Sequence, residues 1–240
     1  RSYFRKIKKG GSIIANGDDP NTVEALGGRK GVTYYSLESP EAETISKLLK
    51  VPGKHNVSNA LAAHWAGTAL GLKSKDVISS LSKYEGSWRR FETFKTGYRK
   101  ITLISDYAHH PTEVEKTLEA AREAYPGKRI VCLFQPHQQK RTEYLFDDFA
   151  KVLRDAPADR IVLSEIYGVV GREGSGSKVS SRKLAEASGR KVVYKGSVKE
   201  AGRYVERTAR EGDVIIVMGA GDIYETFLEM KERFLDKRDD

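Results

Sequence analysis

Ile101-Thr102-Leu103-Ile104-Ser105-Asp106-Tyr107-Ala108-His109-His110-Pro111-Thr112-Glu113-Val114 is the stretch that decides the fold. The apolar run from Ile101 to Ile104 predicts a buried strand. Val114, Leu118, Ala121 and Tyr125 recur at helical spacing and predict an amphipathic helix. Pro111 suits a first helical position, and Thr112-x-x-Glu115 has the spacing of a capping box. A carboxylate, a phenol and two imidazoles therefore sit on a turn at the carboxyl end of a strand. In open parallel α/β sheets that is where ligands bind.

The same punctuation continues downstream. Strands are expected near 101–106, 130–135, 160–164, 191–194 and 213–218, with helices near 112–125, 143–154, 181–188, 198–210 and 222–235. Such alternation predicts an α/β class with a Rossmann-like, mostly parallel sheet. The stretch 171–177, rich in glycine and serine, reads as a loop. Polar residues follow three strands: the opening turn, Gln135-Pro136-His137-Gln138-Gln139-Lys140-Arg141, and Gly219-Ala220-Gly221-Asp222. Parallel strands bring all three loops to one edge. Tyr224 stands where a dinucleotide fingerprint would have its third glycine, so the GxG also reads as a tight strand-to-helix turn.

Upstream, strands are expected at 12–16 and 31–35, with a turn at Gly17-Asp18-Asp19-Pro20. A helix follows Gly53, with Val57, Leu61, Trp65 and Ala69 on one face, and ends at Gly71. His55, Asn56 and Asn59 crowd its first turn, where free N–H groups favour polar ligands; Asn56 or Ser58 as a simple cap is the structural alternative. A second helix runs over 75–84. Only two strands and two helices thus precede residue 87, too little to cover a parallel pair, which suggests an incomplete α/β domain. Ser87-Trp88-Arg89-Arg90-Phe91-Glu92 reads as a linker. Its paired arginines would either clamp phosphate or form a charged, exposed hinge anchored by Phe91.

Among 240 residues, 39% are hydrophobic and 31% charged, and no apolar run approaches a membrane span. No signal peptide is visible. The single cysteine, Cys132, lies in the strand run Ile130 to Phe134 and cannot form an intramolecular disulfide, so a reducing cytoplasm is the simplest compartment. The net charge of +9 is compatible with nucleic acid or with small anions such as nucleotides, but the basic residues are spread along the chain. No basic stripe with interleaved aromatics points to nucleic acid. Asp106, His109, His110 and His137 could be read as zinc or iron ligands, although no HxxxH or CxxC spacing supports a metal. No GxSxG marks a serine nucleophile. Imidazoles and a guanidinium converging on one edge fit a bound carboxylate or phosphate better.

Five ordered motifs carry a family resemblance: Pro52-Gly53-Lys54-His55-Asn56-Val57-Ser58-Asn59-Ala60-Leu61-Ala62-Ala63, Arg89-Arg90-Phe91-Glu92, Asp106-Tyr107-Ala108-His109-His110-Pro111-Thr112-Glu113, Gln135-Pro136-His137 with Arg141-Thr142, and Met218-Gly219-Ala220-Gly221-Asp222-Ile223. From about residue 10 to the end, the chain resembles the second half of a Mur ligase, in particular the branch that joins L-alanine to UDP-N-acetylmuramate. The resemblance implies part of an ATPase-type central domain over 1–87 and a carboxy-terminal ligase domain over 88–240. It also implies a cytoplasmic ATP-dependent amide ligase of peptidoglycan synthesis. ATP phosphorylates the muramyl carboxylate, the amino acid's amine attacks the acyl phosphate, and phosphate leaves. Magnesium would assist, with ligands expected mainly outside this chain.

Carried over by position, His55, Asn56, Asn59, Arg90 and Asp106 would meet the nucleotide. Tyr107, His109, His137 and Arg141 would hold the alanine and the acyl centre, with His109, His137 and Arg141 closest to the chemistry. His110 is assigned to the helix start. The sequence departs from the family pattern in four ways: no GTxGKT-like phosphate loop, a short 36–51 segment, Ser105 for a common aspartate, and Gln138 where the alanine-adding branch commonly has arginine. The alternative is a sister ligase that attaches another amino acid or a recycled peptide.

Overall fold

The computed structural model describes residues 6–8, 10–168 and 179–236. The chain forms two compact units, Arg1–Glu85 and Gly86–Asp240. In the first, β1 (Ile13–Asn16) and β2 (Val32–Tyr35) pair in parallel, with Ile13 opposite Val32. Four helices accompany them: α1 (Pro20–Leu26), α2 (Pro40–Leu48), α3 (Lys54–Ala69) and α4 (Ser74–Leu81).

The expectation of two helices in this unit is therefore corrected. Both extra ones carry proline in the first turn, α1 behind Asp19 and α2 behind Ser39. The Asp19 carboxylate accepts from the Asn21 N–H at 3.1 Å and the Thr22 hydroxyl at 2.5 Å, so the apparent turn at 17–20 is in fact a helix start. With 7 and 9 residues, these helices are too short to display a clear period. Ala42, Ile45, Val57, Ala60 and Leu61 form the core beneath α2 and α3. Full burial of Ile45 and Leu61 contributes about 1.5–3 kcal/mol each.

The second unit is built on a six-stranded sheet. Its strands are β3 (Glu92–Lys95), β4 (Thr102–Asp106), β5 (Ile130–Phe134), β6 (Arg160–Leu163), β7 (Val192–Tyr194) and β8 (Val214–Met218), in the order β3-β4-β8-β5-β6-β7. All neighbours are parallel except β3, which runs antiparallel to β4. The central strands are buried on both faces, so they read as continuous apolar runs. Ile104, Cys132, Phe134, Ile161, Ile216 and Met218 pack on one face. There they meet α5 (Pro111–Ala124), α7 (Phe146–Asp155) and α8 (Ser181–Ser188). Leu103, Val131, Leu133, Val162, Ile215 and Val217 pack on the other face, against α9 (Val198–Thr208) and α10 (Ile223–Asp236). The neighbours β4 and β8 thus send their helices to opposite faces, which opens a crevice at their carboxyl ends.

Three local expectations change here. The helix expected over 143–154 is two helices, α6 (Gln139–Tyr144) and α7, separated at Leu145. The capping box of α5 is His110 with Glu113 rather than Thr112 with Glu115, because Pro111 is already helical and the cap must precede it. In the segment 87–92, Ser87, Trp88 and Arg90 are exposed and Phe91 is the buried anchor expected, but Arg89 is buried too. Arg89 and Phe91 are 5% and 7% exposed, with φ of 54° and 53°, so a strained turn is folded into the second unit. The loop expected at 171–177 lies outside the described residues.

Candidate functional site

The turn after β4 is held from beneath. Asp106 lies in the interior, its Oδ2 accepting from the Phe91 N–H at 2.8 Å and its Oδ1 from the Ala108 N–H at 2.8 Å and the Thr117 hydroxyl at 3.2 Å. In place of the open carboxylate expected at a nucleotide, the structure has an internal staple. Burial pushes the Asp106 carboxyl above its ordinary value, although these hydrogen bonds and the Arg90 charge oppose it.

Above the staple, Tyr107 and His109 meet edge to face at 5.4 Å between ring centroids. The His109 Nδ1 lies 3.0 Å from the Tyr107 carbonyl and 3.4 Å from the Glu113 carboxylate. Donation from Nδ1 to that carbonyl would leave Nε2 as the free acceptor. His110, exposed, instead uses Nδ1 to accept from the Thr112 N–H at 3.3 Å. The two neighbouring imidazoles thus have different roles.

The loop after β5 brings His137 to His109, with centroids 5.7 Å apart. Tyr167, which nothing in the sequence marked, stacks on His137 at 5.3 Å with planes 12° apart. Main-chain bonds fasten the pair: the Tyr167 N–H donates to the Pro136 carbonyl at 2.8 Å, and the Gln138 N–H to the Tyr167 carbonyl at 2.9 Å. Gln138 takes φ 67° to start α6, and one turn on stands Arg141. The Arg141 Nη1 is buried and has no hydrogen-bond partner among the described residues. An unpaired buried cationic donor costs more than the roughly 1–3 kcal/mol of a neutral one, a penalty that an anion placed there would offset.

The Gly219-Ala220-Gly221 turn is a packing device. A Cβ on Gly221 would lie 2.5 Å from the Gln135 Oε1 and 2.5 Å from the Tyr167 Cγ. Gln135, 2% exposed, spans the two loops by donating from Nε2 to Asp222 at 2.7 Å and accepting from the Ile223 N–H at 3.3 Å. The adjacent arginines diverge. Arg89 donates to the Gly219 carbonyl, and its guanidinium lies 4.9 Å from the Tyr107 ring and 4.7 Å from the Tyr224 ring. Burial holds Arg89 below the usual arginine range, though still cationic. Arg90 is exposed, its guanidinium 5.6 Å from the Tyr107 ring, and is the arginine left for solvent or ligand.

In the first unit, Asn56 and Asn59 line a cavity of about 330 Å³ with Leu49, Val51, Ala60, Ala63, Leu81 and Tyr84. Asn56 donates to the Pro52 carbonyl at 2.7 Å, whereas Asn59 is exposed. Neither residue caps α3, whose cap is Gly53. His55, in the same turn, is half-buried but does not line the cavity. Apolar walls with two amides suit a flat heteroaromatic ring.

Among the described residues, no three histidines, cysteines or acids gather as a metal site. Imidazoles and guanidinium do not fit magnesium, which takes carboxylate and water oxygens. Cys132 is buried, and burial pushes its thiol up, which removes it as a nucleophile. No helix among the described residues is long and apolar enough to cross a membrane.

The family model "Mur ligase, glutamate ligase domain" matches residues 89–221. A UDP-N-acetylmuramate–L-alanine ligase of Pelotomaculum thermopropionicum is 35% identical over 99% of this chain and 56% of its own length. One from Clostridium botulinum is 34% identical over 92% of this chain and 53% of its own. The chain thus spans about half the length of the curated relatives it matches. The crystal structure of UDP-N-acetylmuramate–alanine ligase from Thermotoga maritima is similar at 31% identity and TM-score 0.62, covering 78% of this chain and 39% of that one. A MurF structure from Acinetobacter baumannii, 17% identical with TM-score 0.69, covers 98% of this chain and 53% of its own and shows the shared fold.

Proposed function

The chain belongs to the Mur ligase family, and on that premise we propose that it is part of an ATP-dependent ligase joining L-alanine to UDP-N-acetylmuramate. The observation that carries the reading is the buried Nη1 of Arg141, unpartnered among the described residues, in the helix that follows directly on the loop presenting His137 to His109. A cationic donor with two imidazoles is suited to an amino-acid carboxylate and a phosphorylated acyl group. The first unit would supply part of the nucleotide-binding domain and the second the ligase domain. The work would fall in the cytoplasm, within peptidoglycan synthesis.

In this reading Arg141 holds the alanine carboxylate, and Tyr107 with His137 shapes its seat. His109, oriented by the Tyr107 carbonyl and Glu113, faces the acyl centre through Nε2. The muramyl carboxylate oxygen attacks the γ-phosphorus of ATP and releases ADP. The alanine nitrogen then attacks the carbonyl carbon, the C–O bond to phosphate breaks, and the amine loses a proton. Positive groups stabilise the charge that gathers on the acyl and phosphate oxygens. Asn56 and Asn59 would receive the adenine and Arg90 the ribose or phosphates. His55 and Asp106 act from behind, as neighbours that position these groups.

Gln138 keeps a second reading in play, because one cation for the amino-acid carboxylate is absent at that position. A sister ligase for another amino acid or a recycled peptide would show it. The experiment is phosphate release by the full-length parent with UDP-N-acetylmuramate, ATP and a panel of amino acids and muropeptides. Preference for L-alanine supports the first reading; preference for any other acceptor supports the second.

A further inference from the structure

We propose that the outer edge of β7 is a docking site for an extended acidic segment of a partner protein, added to the sheet as a further strand. β7 stands last in the strand order, so its outer main chain pairs with no described strand. The Lys195 N–H turns inward to the Leu163 carbonyl at 3.0 Å, and in an alternating ladder the preceding Tyr194 N–H therefore points outward.

Hollows flank this edge on both sides. One of about 480 Å³ lies toward α8 and is lined by Arg182, Glu186, Arg190 and Tyr194, among others. The other, about 330 Å³, lies toward α9 and is lined by Lys195, Glu200, Arg203, Tyr204 and Arg207. Lys195 borders both. Tyr194 packs toward one face of the sheet and Val193 toward the other. An added strand would send alternate side chains into the two hollows, which is how strand addition gains specificity.

The charge fits an acidic occupant. Arg182, Arg190, Lys195, Arg203 and Arg207 line the hollows with Glu186 and Glu200, and Glu165 adds a carboxylate beside the Tyr194 hydroxyl, so cations remain in excess. Glu200 is already engaged, accepting from the Ser197 N–H and hydroxyl at 2.8 Å each. Among the described residues, none of the five cations is in an ion pair with a carboxylate. The Arg182 guanidinium lies 4.9 Å over the Tyr194 ring and the Lys195 ammonium 4.3 Å over the Tyr204 ring. Those cations cover the ring faces that stacked bases would need, so a peptide fits better than a nucleic acid. A basic edge also resists self-pairing. The two cationic hollows on either side of one open strand are what that defence does not require.

The test titrates the 240-residue chain against a fluorescein-labelled peptide of repeating Glu-Glu-Val-Val, which presents glutamates to both faces of an added strand, read by anisotropy at low salt. Saturable binding is expected. It should weaken at least about tenfold in Arg203→Gln/Arg207→Gln, and likewise in Arg182→Gln/Arg190→Gln, all exposed positions whose unchanged melting confirms folding. A peptide with prolines in place of alternate valines should lose as much, because main-chain donors are removed. Hydrogen exchange of the Tyr194 amide should slow in the complex. No saturable binding, equal binding by the proline peptide, unaltered affinity in the variants, or tighter binding of a single-stranded DNA oligonucleotide would overturn the proposal.

Discussion

The carboxylate of Asp106 accepts a hydrogen bond from the Phe91 N–H at 2.8 Å, and so pins a bulky residue at φ 53°. A left-handed non-glycine residue costs about 1–2 kcal/mol, which the buried bond and the packing of Phe91 must outweigh. The same carboxylate holds the Ala108 N–H, so one group fixes the entry to β3 and the exit from β4.

Asp106 gives this unit an unusual pH response. Burial raises its carboxyl in the folded state, so between the ordinary value of 3.8 and the raised one the folded chain holds more proton than the unfolded chain. Stability from this group therefore rises as pH falls through the folded value, and is lost as pH climbs past it. Urea unfolding of wild type and Asp106→Asn from pH 7 to pH 4 should show the wild type gaining relative to the variant on acidification. Loss relative to the variant would refute it. Asp159 is a control of opposite sign: burial acts upward, but the Ile130 N–H and Arg122 outweigh it and lower the carboxyl, so its contribution fades as pH falls.

The two arginines should separate cleanly in stability. Arg89→Ala empties the space between Tyr107 and Tyr224 and leaves the Gly219 carbonyl without its donor, a loss of about 2–4 kcal/mol. Arg89→Lys keeps the charge but not the planar fork, and should recover only part. Arg90→Ala, at an exposed position, should stay within about 0.5 kcal/mol. Denaturant midpoints decide it, and equal effects at both positions would contradict the assignment.

This pair also shows where sequence reading stops. The strand–turn–helix grammar was legible because β5 and β8 are buried on both faces and so appear as unbroken apolar runs, and because the apolar run from Ile101 to Ile104 marks β4. Convergence of three loops followed from their being parallel. Which of Arg89 and Arg90 turns inward depends on a left-handed backbone turn, which a pair of identical residues cannot announce. Tyr167 was invisible for a similar reason: its link to His137 is a bridge between non-consecutive loops, with no local period. α1 and α2 were hidden by brevity, although Asp19-Pro20 and Ser39-Pro40 were their signals.

Gly221→Ala tests the seat of Tyr167. The new methyl would meet both Gln135 and the Tyr167 ring, and overpacking of this kind costs about 1–3 kcal/mol. Tyr167→Ala in the same chain should relieve the part of that cost due to the ring, giving a coupling of at least about 0.5 kcal/mol in a double-mutant cycle. Additive losses would mean that the glycine is required by its turn alone.

Nucleotide binding by this chain should be weak. The first unit offers the Asn56–Asn59 cavity but the sequence has no glycine-rich phosphate loop, so calorimetry with ATP should give a Kd no tighter than roughly millimolar. Ala63→Phe, which fills the cavity, should abolish what remains. Micromolar binding would contradict this.

The central claim, that the edge formed by Tyr107, His109, His137 and Arg141 receives the amino acid, is tested most directly in the full-length parent. Initial rates of phosphate release are measured for wild type and Arg141→Ala, with L-alanine and ATP varied separately. The KM for L-alanine should rise by at least about tenfold while the KM for ATP stays within about twofold. An equal rise for both substrates, or an unchanged KM for L-alanine, would contradict it.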